Sequence, residues 1–223
     1  MDKKLIIQAI GKYLLGLIML SVLLFVPAGT LHYWNAWLLI GVLFIPMLIV
    51  GTVFAVRNPE LLRKRLKSKE KEPEQKVVIL LGGLVFISGF VVAGFDYRYQ
   101  CLVLPKWLVL TAAVVFLFAY LLYAEVLREN AYLSRTVEVK ENQKVIDTGL
   151  YGIVRHPMYA ATVLLFLSMP LVLGSFFSFI VFLIYPAITV KRIRNEEEVL
   201  EKDLEGYAEY KKHVKYRLIP FVW

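Results

Sequence analysis

Apolar residues run through this chain in long uncharged stretches, not at the three-to-four-residue spacing of a helix with one buried face. A charged start at residues 2–4 leads into an apolar segment that reaches Val26. That segment is too long for a secretory leader, and Pro27-Ala28-Gly29-Thr30 is a poor cleavage site, so it predicts a first membrane span. Residues 34–56 carry no charge and, at about 1.5 Å per residue, are long enough to cross a hydrocarbon layer of about 30 Å. Residues 77–95 and 107–124 predict a third and a fourth span. Residues 158–190 are also uncharged, too long for one span and short for two. Pro170, Gly174 and Ser175 interrupt them, which predicts a helical hairpin whose arms either span fully or stop short of the far surface. Residues 191–212 then turn charged with a helical pattern: Ile193, Leu200 and Leu204 form a narrow apolar stripe flanked on opposite sides by Glu196 and Glu197.

The expected fold is therefore all-α: a polytopic helical membrane protein with four spans, a C-terminal helical hairpin and a cytosolic tail helix. Residues 1–127 make the N-terminal transmembrane helices and residues 128–223 the functional core.

Charge adds an orientation. The loop at residues 57–76 carries Arg57, Arg63, Lys64, Arg65, Lys67, Lys69, Lys71 and Lys76, interleaved with Glu60, Glu70, Glu72 and Glu74. Its excess of cations predicts a cytoplasmic loop, and the nearly neutral residues 96–106 fit the outside, which puts both termini in the cytosol. Because the cations flank the spans, the net charge of +8 reflects topology and anionic lipid, not nucleic acid. Cys101 is the only cysteine, so no intrachain disulfide can form, and His32, His156 and His213 are too scattered to predict a metal site. The spans lack the mid-membrane charges and the chain lacks the internal repeats common in transporters.

The candidate chemistry centres on residues 147–159. Gly149 and Gly152 permit tight turns, and Pro157 suits the first position of a helix, with His156 as its cap. The positive helix end then faces the same spot as Arg155 and His156, an arrangement that suits an anion but also serves to anchor a helix to lipid headgroups. Upstream, residues 136–139 and 144–146 read as locally extended, either wrapping a polar ligand or acting as a connector. Downstream, Arg192 and Glu196 have ion-pair spacing at the edge of the apolar stripe. Tyr207 and Tyr210 fall on one side of a helix, and Tyr216, Arg217 and Trp223 read as an interfacial ending.

These residues carry a resemblance. Gly149-Leu150-Tyr151, Arg155-His156-Pro157-Met158-Tyr159, Arg192 through Glu196-Glu197 to Leu200, and Tyr207 with Tyr210 resemble the isoprenylcysteine carboxyl methyltransferase family. Arg128-Glu129-Asn130, residues 134–139 and residues 216–223 look like its bacterial members, and the resemblance covers about the last hundred residues. It implies an integral membrane enzyme of a bacterial or archaeal cell membrane with S-adenosyl-L-methionine as methyl donor, bound at the cytosolic face. Residue by residue, it implies a cofactor site at Glu138, Gln143, Lys144, Val145, Ile146, Tyr151, His156, Pro157, Met158, Tyr159 and Glu196, with Arg192 facing the acceptor carboxylate. Read from the chemistry of the cofactor, Arg155 and His156 suit its carboxylate and Glu196 or Glu197 its ammonium. The implied partner is a lipid-like or prenylated acceptor reached through membrane lipid. The wider superfamily also holds phospholipid N-methyltransferases and NADPH-dependent sterol-type reductases, although no glycine-rich nucleotide motif is present.

Overall fold

The computed structural model describes residues 3–66, 73–130, 132, 139 and 143–223. Among these the regular secondary structure is helical, apart from one isolated bridge between Val103 and Ser175. The helices are α1 (Lys3–Ala28), α2 (Trp34–Arg57), α3 (Pro59–Leu66), α4 (Pro73–Tyr99), α5 (Lys106–Glu129), α6 (Pro157–Val172), α7 (Phe176–Phe182), α8 (Tyr185–Asp203) and α9 (Tyr207–His213). Five stretches are long and apolar enough to cross a membrane: α1, α2, residues 76–99 of α4, α5, and residues 176–203, which join α7 to α8. Rows of large apolar side chains, such as Leu14, Leu15, Ile18 and Val22 on α1 and Leu110, Val114, Phe118 and Leu121 on α5, face outward. Water would penalise that surface and hydrocarbon accepts it, so this is an integral membrane protein.

The inward faces hold small residues and aromatic rings. Ala93, Ala112, Ala113, Ala119, Phe116 and Phe182 belong to one buried cluster that runs from Leu20 on α1 to Phe182 on α7. Residues 1–127 and 128–223 therefore share a core. Small residues let backbones approach where lipid offers no hydrophobic drive between helices. At Gly94 on α4 a Cβ atom would lie 2.7 Å from the carbonyl oxygen of Leu24 and 2.8 Å from Cβ of Pro27. Because backbone is in the way, Gly94→Ala should force α1 and α4 apart and cost about 1–3 kcal/mol. A lowered unfolding midpoint in detergent checks this, and an unchanged midpoint would refute the close packing.

The hairpin forms with its turn at Gly174 and Ser175, and its tip is held by the neighbouring helices. The Tyr33 hydroxyl donates to the Leu173 carbonyl at 2.7 Å, and the Asn35 amide donates to the Val172 carbonyl at 3.1 Å. Ser175 Oγ donates to Asp96 at 2.6 Å and accepts from the Ser178 N–H at 3.1 Å, capping α7. The tip is thus tied to the start of α2, the end of α4 and the turn before α5. At about 24 Å the first arm, α6, is shorter than a hydrocarbon layer. The cytosolic tail helix expected at residues 191–212 is not a separate element. Its first half continues the second hairpin arm as α8, and the chain breaks at residues 204–206, where Gly206 has φ 84°, before the short α9.

Candidate functional site

Local chemistry sets the mouth of α6. Pro157 occupies its first turn and His156 its cap, as the residue types require. Before it, Gly149 (φ 57°) opens a 3-10 turn over residues 149–152, and the Glu129 carboxylate at the end of α5 accepts from the Leu150 N–H at 3.0 Å. A Cβ at position 149 would collide with that carboxylate. The backbone then pairs with the C-terminal segment. The N–H of Arg155 donates to the Tyr216 carbonyl and that of His156 to the Arg217 carbonyl, both at 2.9 Å. The expected interfacial ending is thus packed against the site.

Two polar clusters form where α8 returns. In the first, Glu197, whose side chain is 4% exposed, accepts from Arg155 Nε at 2.7 Å and Arg217 Nε at 2.8 Å, and lies 3.2 Å from His156 Nε2. The Arg155 guanidinium also donates to the carbonyls of Val214 and Lys215 at 2.8 and 2.9 Å. In the second, the Tyr159 hydroxyl accepts from Arg192 Nε at 2.8 Å and donates to the Glu196 carboxylate. Arg192 and Glu196, one turn apart on α8, therefore meet on one phenol.

A cavity opens between these clusters and the segment at residues 143–146, with an empty volume of about 830 Å³ counted out to its mouth. Gln143, Lys144, Val145, Ile146, Tyr151, Arg155, His156, Met158, Tyr159, Arg192 and Glu196 line it, so most of the expected residues come together. Residues 143–147 take no regular secondary structure. Glu138 and residues 136–137 lie outside the described residues. Pro157 supports the wall without lining it.

Glu197 departs from expectation. It lies within the buried stripe, four residues after Ile193 and three before Leu200, and serves the internal ion cluster instead of the cavity. The anion site read at Arg155 and His156 changes accordingly. Both residues line the cavity, but both are tied to Glu197, and Arg155 also serves two carbonyls. What reaches the cavity is the net positive charge of two guanidiniums held by one carboxylate.

Several wall residues were not singled out from sequence as site residues: Asn130, Tyr132, Leu200, Leu204, Tyr207 and Tyr210. Asn130, Leu200, Tyr207 and Tyr210 stood in the motifs that carry the resemblance. Arg65 is the largest surprise. Read as one of many loop cations, it donates to the Tyr123 hydroxyl at 2.8 Å and lies 3.6 Å from Sδ of Met158 at the cavity wall. Tyr210 donates to the Tyr151 carbonyl at 2.7 Å. Burial pushes the ionisation of Tyr151, Tyr207 and Tyr210 well above the usual phenol range, so these groups remain donors at working pH.

Comparison with known proteins bears on this arrangement. Residues 100–202 match the Isoprenylcysteine carboxyl methyltransferase (ICMT) family. The ICMT match starts just before α5 and ends one residue before α8 does, so it takes in both polar clusters except Arg217. It begins earlier than the motif resemblance and stops short of Leu204, Tyr207 and Tyr210. It supports a membrane methyltransferase. A 91-residue stretch is also 32% identical to Delta(14)-sterol reductase of Mus musculus, covering 40% of this chain and 22% of that protein. The chain thus spans about a fifth of that relative's length.

Proposed function

We propose that the protein is an S-adenosyl-L-methionine-dependent methyltransferase that acts at the cytosolic membrane face, most simply by carboxyl O-methylation of a prenylated or lipid-like acceptor. The observation that carries this reading is the joining of Arg192 and Glu196 on the Tyr159 hydroxyl, at the edge of a cavity roofed by membrane helices. The donor set suits the cofactor: Glu196 offers a carboxylate to its ammonium, the Arg155–Arg217–Glu197 cluster offers net positive charge to its carboxylate, and Val145, Leu200 and Leu204 offer an apolar wall. When bound, it supplies an electrophilic methyl group. Arg192 then holds and aligns the acceptor anion, Tyr159 fixes Arg192, and the helices exclude water. An ionised carboxylate needs no general base, so no residue is asked to remove a proton. An apolar gap between the helices would admit a lipid tail from the bilayer. The cation-rich loop at residues 57–76 supports the cytosolic assignment for this end of the bundle and for both termini.

Phospholipid N-methylation would use the same methyl donor, but its ammonium acceptor must first lose a proton to a base and carries no anion for Arg192 to align. A second class has one observation in its favour, the identity with a sterol reductase, which points to a nicotinamide-dependent reduction in the same cavity. Titration of the purified protein with S-adenosylmethionine, S-adenosylhomocysteine and NADPH separates them, and binding of NADPH alone would replace the first reading by the second. Glu196→Ala should weaken S-adenosylmethionine binding about 10- to 100-fold, the loss of one charge-assisted hydrogen bond, with helicity unchanged. Unaltered affinity would remove Glu196 from the site. Incubation with radiolabelled methyl donor and a membrane lipid extract would identify the acceptor.

A further inference from the structure

A second cavity opens at the far end of the bundle, where α6 ends. Its empty volume is about 710 Å³ counted out to its mouth, and its wall includes Trp34, Asn35, Asp96, Tyr97, Lys106 and Ser175. The length of α6, about 24 Å, separates it from the candidate site. Asp96 and Asn35 are each 6% exposed. The Asp96 carboxylate accepts from Ser175 Oγ at 2.6 Å and from the Leu102 N–H at 3.4 Å, and among the described residues no cation pairs with it. The amide nitrogen of Asn35 is committed to the Val172 carbonyl, which leaves its oxygen free to accept, and among the described residues nothing donates to that oxygen. The ties that hold the hairpin tip thus leave acceptors over on both side chains. A buried carboxylate at the end of a membrane helix destabilises the fold unless a cation meets it.

Lys106, the first residue of α5, brings the opposite charge to the same wall, where it is exposed and forms no ion pair among the described residues. Leu110, Val114, Phe118 and Leu121 follow it along one face of α5 at steps of three or four, all turned outward. A ligand that meets all these features has an N–H cation, an anion close to that cation, and an apolar body that lies in hydrocarbon. We propose that this cavity holds the headgroup of an aminophospholipid. Its primary ammonium donates to Asp96 and Asn35, its phosphate sits on Lys106, and an acyl chain lies along α5. A quaternary ammonium has no N–H to donate and fits this pair of acceptors less well. The lipid is held here and not methylated, because the whole length of α6 lies between it and the candidate site. The proposal is independent of the methyl-donor reading.

The test is equilibrium binding of phosphatidylethanolamine, phosphatidylcholine and free phosphoethanolamine to the full chain in detergent. Wild-type protein should bind phosphatidylethanolamine about 10-fold more tightly than phosphatidylcholine, the worth of one charge-assisted hydrogen bond, and free phosphoethanolamine more weakly than either. Asp96→Asn keeps an acceptor for Ser175 and removes the charge, so it should lower phosphatidylethanolamine affinity about 10-fold and reduce the preference to about twofold or less. Lys106→Ala, at an exposed position, should weaken both lipids alike, about two- to fivefold. Equal binding of the two lipids by the wild type would overturn the proposal. So would an Asp96→Asn protein that unfolds at a lower temperature but keeps the preference, which would leave Asp96 as a tie for Ser175 alone. Should Asp96→Asn fail to fold, Lys106→Ala decides, and undiminished affinity for both lipids overturns the site. Phosphoethanolamine that binds as tightly as the lipid would make the ligand a free amine and overturn the lipid assignment.

Discussion

Arg192→Ala should lower turnover about 10²- to 10³-fold while changing S-adenosylmethionine affinity by less than about threefold. Arg192 is part-buried on α8, its Nε donates to the Tyr159 hydroxyl, and its guanidinium lies 5.8 Å from the centre of the Tyr159 ring. Both contacts hold a planar donor group in one orientation before any acceptor arrives, the condition under which such a group accelerates transfer. Its removal deprives the acceptor anion of alignment and leaves Glu196 in place for the cofactor. Arg192→Lys keeps the charge without the fork and should recover only part of the rate. Tyr159→Phe, which removes the hydrogen bond to Arg192 Nε and keeps Arg192, should fall between the two. Equilibrium binding and single-turnover rates on the same preparations check this. A loss of cofactor affinity as large as the loss of rate would place Arg192 at the donor and not at the acceptor.

The fold was legible where a single physical constraint acted alone. Uncharged runs of bilayer length predict spans whatever packs around them, and α1, α2, α4 and α5 lie where those runs do. The Pro157 start and the His156 cap were legible because a missing N–H fits only the first turn. The boundary of the tail was not. The change from apolar to charged residues near Lys191 resembles the end of an element, but the backbone continues as α8, because that change marks where the helix leaves the apolar core. The choice between Glu196 and Glu197 stayed open for a related reason. One step along a helix is 100°, and a run of three glutamates offers no way to tell which one turns inward. Its partners lie 41–42 residues before it and 20 after it, beyond any local pattern. Arg65 was hidden by its own loop, in which every cation satisfies the same topological rule.

Glu197→Ala carries the largest expected loss of stability, about 3–5 kcal/mol, which for a chain of this size lowers the unfolding midpoint by roughly 10–15 °C. Its worth as an isolated ion pair would be small. The loss comes from what stays behind: the Arg155 side chain is 5% exposed and would remain a buried cation with its main charge partner gone. The same deletion frees Arg217, so the pairing of the C-terminal segment with Arg155 and His156 should loosen, and Arg217 should become open to trypsin. Arg217→Ala is the control. Its side chain is 30% exposed, water can take over part of its role, and the expected loss is about 1 kcal/mol or less. The sharper control is a pair of changes, Arg155→Met with Glu197→Met. Together they remove both members of the closest pair and substitute apolar volume, so the double variant should be more stable than Glu197→Ala. Thermal unfolding in one detergent, without ligand, decides the matter. If Glu197→Ala is no worse than Arg217→Ala, or the double variant gains nothing, the buried charge is not what the C-terminal segment is holding down.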